Sequence, residues 1–245
     1  MLPKSWNDIT VRQYQELRQL GKTPADSVTE RYIETILTLT DLPLDEVEEY
    51  NMRKLLSVVN QLKFVRTEPS HKYAKKLGNY RLLPFNKITW GAFIDLEFYI
   101  SKDYIEYLDV IVAILLRQTK QNDWNILKYE PYEYNPKDRG GELLNAPITS
   151  IYGIVHEYLN YRNDLINNKY SELFSVGDDE DEDLDGKDLA EYNKRKNEEK
   201  VFNKWAYESI TYDLADGNLT EMDNILDKSL IYVLNILSMK TETKR

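Results

Sequence analysis

An acidic run near residue 181 has the residue types and spacing of an EF-hand calcium loop. Asp181, Asp183 and Asp185 stand at loop positions 1, 3 and 5, and Gly186 stands at position 6, where the sharp turn needs glycine. The bidentate Glu of such a loop belongs at position 12, which is Tyr192 here. Because that ligand is missing, we favour a solvated acidic segment over a calcium site and expect no metal.

Two histidines and one pair of carboxylates are the remaining candidates for acid–base chemistry. His71 and His156 are about 85 positions apart and form no H-E-x-x-H or H-x-x-x-H pair, so each is interpreted as a structural or exposed histidine. Asp95 and Glu97 are two positions apart in a predicted helix, which directs them about 200° apart. The chain has no cysteine, no G-x-S-x-G and no phosphate-binding loop. We therefore predict no enzyme, no catalytic residue and no cofactor.

Composition and charge narrow the class of protein. The hydrophobic fraction of 42% is typical of a chain that forms a core. The net charge of −10 opposes binding to nucleic acid. The longest apolar run, 110–116, is far shorter than the ~20 residues of a membrane span, and the N-terminal segment lacks the apolar stretch of a signal peptide. We expect a globular protein that binds neither nucleic acid nor membrane, and the absence of cysteine is consistent with a reducing cytosol.

Hydrophobic periodicity predicts a mainly α fold: a multi-helix array with one small β-hairpin and a C-terminal αα-hairpin. Thr10 and Gln13 form a capping box, and Thr23-Pro24 begins a second helix. The hairpin lies near 72–83, around Gly78-Asn79. Asp103 caps the most apolar helix, which is the expected centre of the core, and 118–145 is read as a long irregular connection.

Three regions are predicted along the chain. Residues 1–175 form a helical core, and 176–200 form an acidic segment with eleven acids against five bases, interpreted as a disordered insertion or linker. Residues 201–245 form a helical hairpin with its turn at 216–218 and an N-cap at Thr220. Trp205 and Leu234 lie on the apolar stripes of the two helices, so we expect them to pack against each other.

Tyrosine is abundant, with 19 residues against 6 phenylalanines. Tyrosine suits both a partly buried helix face and a protein–protein contact, because its ring is apolar and its hydroxyl is polar. The candidate partner-binding residues lie in the C-terminal hairpin and in the irregular connection. They are Trp205, Tyr207, Tyr212, Tyr129, Tyr132 and Tyr134.

The C-terminal segment also carries a family resemblance. Phe202-x-x-Trp205, the Leu-Ala-Asp-Gly-Asn-Leu-Thr sequence at 214–220 and a closing Leu-rich helix resemble the C-terminal end of tail-assembly chaperone-like proteins of tailed bacteriophages. Segment 5–17 is similar to the N-terminal helix of small phage morphogenesis proteins. Segments 87–98 and 129–134 are similar to proteins of phages that infect Bacteroidetes-type hosts. The acidic insertion at 178–188 is a departure from the family.

The resemblance implies a non-enzymatic helper that acts in the host cytoplasm during virion morphogenesis. Such proteins are commonly encoded near the tape-measure gene, so the implied partners are the tape-measure protein and the tail-tube subunits. The alternative is a permanent component of the virion in the tail, baseplate or neck. A third reading, an inhibitor that uses its acidic run to mimic nucleic acid, requires those carboxylates to sit on a rigid surface.

Overall fold

The computed structural model describes residues 2–121, 127–132, 135–174 and 205–243. Helices dominate these residues, which confirms the mainly α fold. The helices are α1 Val11–Leu20, α2 Val28–Leu39, α3 Leu44–Glu48, α4 Met52–Gln61, α5 Trp90–Ile100, α6 Leu108–Leu115, α7 Pro136–Leu143, α8 Tyr152–Asp164, α9 Ser171–Phe174, α10 Ala206–Leu214, α11 Leu219–Leu226 and α12 Leu230–Glu242. The strands are β1 Lys76–Leu77, β2 Tyr80–Leu82, β3 Leu116–Gln121 and β4 Leu127–Tyr129.

The starts of the helices follow their capping residues. Thr10 and Gln13 form the predicted capping box at the start of α1. The predicted start at Thr23-Pro24 is wrong, because Ser27 caps α2 by accepting a hydrogen bond from the Glu30 N–H. The Asp103 carboxylate accepts a bond from the Ile105 N–H and so caps a 3-10 turn, Tyr104–Tyr107, that leads into α6.

The predicted β-hairpin is present, and it belongs to a larger sheet. The order is β1-β2-β3-β4 with every pair antiparallel, and Gly78 makes the first turn at φ 57°. Leu82 pairs with Leu116, so the chain passes from α6 directly into the sheet. The irregular connection predicted for 118–145 is therefore wrong in part, since it contains most of β3, all of β4 and α7.

The chain forms two compact units, Met1–Phe85 with Leu96–Tyr161 and Asn86–Asp95 with Arg162–Arg245. This division differs from the predicted regions 1–175 and 201–245. The acidic segment 176–200, including the calcium-like run at 181–186, lies outside the described residues.

Helix α6 forms the centre of the first unit, as predicted. All eight of its residues are buried, and it packs against α7. Gly140 makes this close approach possible, because a Cβ there would lie 3.1 Å from the Asp109 Oδ2 atom and 3.3 Å from the Val110 backbone.

The second unit joins the start of α5 to the C-terminal helices. The Trp90 N–H donates to the Lys228 carbonyl at 2.7 Å, and the Leu230 N–H donates to the Ile88 carbonyl at 2.8 Å. The Tyr170 hydroxyl donates to the Asn235 Oδ1 atom at 2.8 Å, which ties the segment before α9 to α12. The predicted turn at 216–218 joins α10 to α11. The single closing helix predicted for the hairpin is wrong, because Ser229 caps α12 as a separate helix after α11.

Candidate functional site

The turn between α10 and α11 lies against the Tyr212 side chain. Asp216 and Gly217 both have positive φ, at 49° and 77°, and the Gly217 N–H donates to the Tyr212 carbonyl at 3.0 Å. A Cβ on Gly217 would lie 3.1 Å from the Tyr212 hydroxyl, so the Tyr212 side chain lies against the turn. Asn218, and not the predicted Thr220, caps α11 by accepting from the Thr220 N–H. Leu219 follows as the first residue of α11.

Three large apolar or aromatic side chains of this segment face solvent. Trp205 is 51% exposed, Tyr212 is 48% exposed and Leu219 is 73% exposed. Trp205 immediately precedes α10, Tyr212 is in its last turn and Leu219 begins α11. Exposed side chains of this size within one short segment are typical of a protein–protein contact.

The predicted burial of Trp205 is wrong. Leu234 is buried, whereas Trp205 immediately precedes α10 and is half exposed. The buried side of α10 is formed by other residues. Trp90 donates from its indole Nε1 to the Thr211 hydroxyl at 2.8 Å, and Tyr207 meets the Trp90 ring edge-to-face at 5.6 Å. These contacts fix which face of α10 is turned away from the solvent.

The exposed side of the same segment is strongly acidic. We call the exposed side chains of residues 205–227 the 205–227 surface. This stretch contains no lysine, arginine or histidine. Its acids are Glu208, Asp213, Asp216, Glu221, Asp223 and Asp227. Within the part of the chain that the structure describes, Glu208, Asp213 and Asp216 form no ion pair. The surface therefore combines apolar contact area with unbalanced negative charge.

The other predicted partner-binding residues are placed differently. Tyr129 is in β4, paired with Thr119, and is half-buried. Tyr132 is buried, with the Arg117 guanidinium 4.8 Å from its ring centroid, so it contributes to the interior of the first unit. Tyr134 lies outside the described residues. Trp205 and Tyr212 are thus exposed residues of the second unit, and Tyr207 packs against Trp90 in the same unit. Tyr129 and Tyr132 belong to the first unit.

The first unit contains a cavity of about 490 Å³ between α1 and the segment that follows α4. Its walls include Trp6 and Tyr14, and its cations each lie beside acids. Lys22 forms ion pairs with Asp103 and Glu106, and Arg18 lies 3.9 Å from Glu68. The charges in this wall therefore balance one another.

Beside this cavity the structure reveals a cluster that the sequence analysis missed. The His71 ring stacks on the His156 ring at 3.7 Å and on the Tyr152 ring at 5.7 Å. A Cβ on Gly153 would lie 2.5 Å from the His71 carbonyl oxygen, so only glycine lets the loop rest on α8. A glycine inside a helical pattern was the one available signal, because it often marks a close backbone approach.

Two buried tyrosines beside this cluster favour their protonated forms. Burial raises the pKa of Tyr14, and the adjacent Arg18 only partly offsets that effect. Burial also raises the pKa of Tyr152, with the Tyr14 hydroxyl and the Glu68 carboxylate adding to the shift. At neutral pH both hydroxyls therefore keep their protons, which suits a structural role better than proton abstraction.

Comparison with known proteins identified no relatives: no family model matches this chain, and no curated protein or solved structure matches it. Within the described residues, no three or more His, Asp or Glu side chains are grouped so that they could hold a metal ion. None of the helices in that part of the chain has the length and apolar character needed to cross a membrane.

Proposed function

We propose that this protein is a non-enzymatic tail-assembly chaperone of a tailed bacteriophage. In this proposal it binds the tape-measure protein or the tail-tube subunits in the host cytoplasm during virion morphogenesis. The observation that carries the proposal is the 205–227 surface, where Trp205, Tyr212 and Leu219 are exposed within one short segment. That segment also holds the sequence elements that resemble tail-assembly chaperones.

A chaperone of this kind works by covering apolar surface of its partner until assembly. For that purpose it needs apolar side chains of its own that are accessible to the partner. Helix α12 of the same unit supplies further side chains of this type. Tyr232 and Met239 are exposed on it, seven positions apart. The partner would bury these side chains together with the 205–227 surface.

The ion pairs beside the cavity of the first unit favour a binding role over a catalytic one. The cations near its cavity are already neutralised by acids, and its two buried tyrosines stay protonated at neutral pH. This leaves the exposed side chains as the groups best suited to act on another molecule, which is why we propose binding without turnover.

Co-expression with the tape-measure protein of the same phage tests the proposal. We expect the partner to remain soluble and to co-purify with this chain, and the complex to survive moderate salt because apolar contact holds it. A Leu219→Ser and Tyr212→Ser double variant should recover less partner, whereas the matched change Leu44→Ser should have a smaller effect.

Mass spectrometry of purified particles separates the chaperone from its alternative. A chaperone is absent from mature particles. A structural component of the tail, baseplate or neck is present at a fixed copy number, and that result would replace the chaperone proposal. Failure to recover any tail protein from infected cells would contradict it as well.

A further inference from the structure

We infer that the 205–227 surface binds a lysine- or arginine-rich amphipathic helix of its partner. This inference rests on the proposed function, and it specifies the chemistry of the segment that the partner presents. The first observation behind it is the charge of this surface. The whole chain has 42 acids and 32 bases, but residues 205–227 have six acids and no base. Glu208, Asp213 and Asp216 form no ion pair within the described residues, so their negative charge is available to another molecule.

The pattern of the surface indicates a helix as the bound segment. The apolar and aromatic positions, Trp205, Tyr212 and Leu219, are interspersed with Glu208, Asp213 and Asp216. A helix with an apolar stripe bordered by basic residues matches this arrangement, since apolar groups recur on one face and charges flank them. The strands that the structure describes all lie in the first unit, so the described part of the second unit offers no sheet edge to which a strand could add.

The same charge argues against other occupants. Nucleic acid and anionic lipid surfaces carry negative charge and would be repelled. A second copy of this chain, docked symmetrically, would place the same acids opposite each other. A basic partner turns each of these carboxylates from a repulsive group into an attractive one.

The apolar and acidic groups have different roles in this contact. Burial of Trp205, Tyr212 and Leu219 supplies affinity and sets the dissociation rate. The acids at the edge act mainly on the association rate, because long-range attraction guides a charged partner and is weakened by salt. The complex is therefore expected to persist in salt although it forms more slowly there.

The test uses two synthetic helices of about 18 residues, or five turns, with the same leucine stripe. One has lysine and the other has glutamate on the polar face. Binding of each peptide to the full-length protein is followed by stopped-flow fluorescence at several salt concentrations. We expect the lysine peptide to associate with wild-type protein about ten-fold faster than the glutamate peptide at low salt, with a smaller ratio at high salt.

Two charge variants test whether the preference for the lysine peptide comes from the 205–227 surface. Glu208→Lys, Asp213→Lys and Asp223→Lys together reverse three exposed acids of the 205–227 surface, and we expect this variant to prefer the glutamate peptide. The control carries Glu16→Lys, Asp41→Lys and Glu48→Lys, which change the net charge equally at exposed positions of the first unit. The control should retain the lysine preference. Circular dichroism confirms that both variants are folded before binding is measured.

A second pair of variants tests the apolar contact. Leu219 and Leu44 are both exposed and both stand at the first position of their helices. We expect Leu219→Ser to raise the dissociation rate of the lysine peptide about ten-fold and Leu44→Ser to leave it within about two-fold.

Failure of this inference is distinguishable from failure of the proposed function. Equal association of both peptides, or an equal response of the surface and control variants, overturns the inference. So does full capture of the tape-measure protein by the surface variant, and in that case the chaperone function still stands. If the lysine peptide discriminates between the variants but no tail protein is recovered from infected cells, the proposed function fails and the basic-helix site stands.

Discussion

The cavity wall of the first unit and the 205–227 surface of the second unit are both rich in aromatic and charged residues. In the cavity wall these side chains pair with one another, whereas on the 205–227 surface they face solvent. In the first unit, Trp6 meets Tyr14 edge-to-face at 5.4 Å, and Lys22 is paired with Asp103. In the second, Tyr212 and Leu219 face solvent in a stretch, 205–227, that contains six acids and no lysine, arginine or histidine. Similar compositions therefore give one region whose rings and charges are paired with each other and one whose side chains are available to a partner.

The difference shows why composition alone is a weak guide to function. An aromatic ring that is paired with other rings adds to the stability of its own unit. An exposed ring adds little to stability and much to a contact that buries it. The following experiments separate groups that support the fold from groups that are exposed to solvent, and their expected effects decrease in order.

The largest effect is expected for the tryptophan on the buried side of α10. Trp90 is buried, donates to Thr211 and packs against Phe93 and Tyr207. Trp90→Ala should lower the free energy of unfolding by about 3–5 kcal/mol. Urea denaturation followed by circular dichroism measures this change. Trp205→Ala is the control, expected to cost less than about 1 kcal/mol because half of the side chain is already in water. Equal costs would contradict the assignment of the two faces.

The sequence predicted the parts of these regions that depend on local pattern. The Thr10–Gln13 capping box and the hairpin turn at Gly78 were recognisable because each is specified by residues close together in the chain. The pairing of Leu82 with Leu116 was missed, because strand register over such a distance depends on packing and leaves no local signature. For the same reason the sequence did not predict that His71 lies next to His156, although Gly153 in a helical pattern is a signal of a close backbone approach.

Only part of the 205–227 surface could be predicted from the sequence. Periodicity identified an apolar stripe on the helix after Trp205, and Tyr212 was named as a partner-binding residue. Periodicity cannot tell which apolar residues a neighbour covers, so Trp205 was expected to be buried. The acids of 205–227 are visible in the sequence, but only the structure shows that they are exposed in the same segment as Tyr212.

The next prediction concerns the loop that carries His71. Gly153→Ala places a Cβ 2.5 Å from the His71 carbonyl oxygen, so the loop must move and the histidine stack is disturbed. We expect a loss of about 1–3 kcal/mol. Thermal unfolding at neutral pH measures it. Gly141→Ala is the matched control in α7, where a Cβ meets nothing within 4 Å. It should be neutral or raise the stability by up to about 1 kcal/mol. A similar loss in both variants would show that helix propensity, and not the close approach, is being measured.

Alkaline pH should destabilise the first unit through its buried tyrosines. The pKa of Tyr152 is raised above the usual value near 10. A group with a raised pKa in the folded state contributes stability below its unfolded pKa, and this contribution is lost as the pH rises towards the folded value. The free energy of unfolding should therefore fall above about pH 10.

A Tyr152→Phe variant tests this role. Urea denaturation between roughly pH 8 and 11 should show a shallower decline for this variant than for wild-type protein, since the titrating hydroxyl is gone. An unchanged slope in Tyr152→Phe would contradict the role of this hydroxyl in alkaline unfolding.

The smallest predicted effect bears most directly on why the acids of the 205–227 surface are there. Asp213 is in the last turn of α10, where the helix dipole disfavours negative charge, and Glu208 is in the first turn, where the dipole favours it. Asp213→Asn should therefore raise the free energy of unfolding by about 0.3–1 kcal/mol, and Glu208→Gln should lower it by a similar amount. Urea denaturation at low salt measures both changes, and both should shrink in about 1 M salt.

The two substitutions remove one negative charge each from the same surface, so both should slow association with a basic partner helix. Opposite effects on stability with the same effect on association would mean that Asp213 is retained for binding at a small cost to the fold. If Asp213→Asn destabilises the protein instead, this carboxylate supports its own helix and the contrast with the balanced first unit weakens.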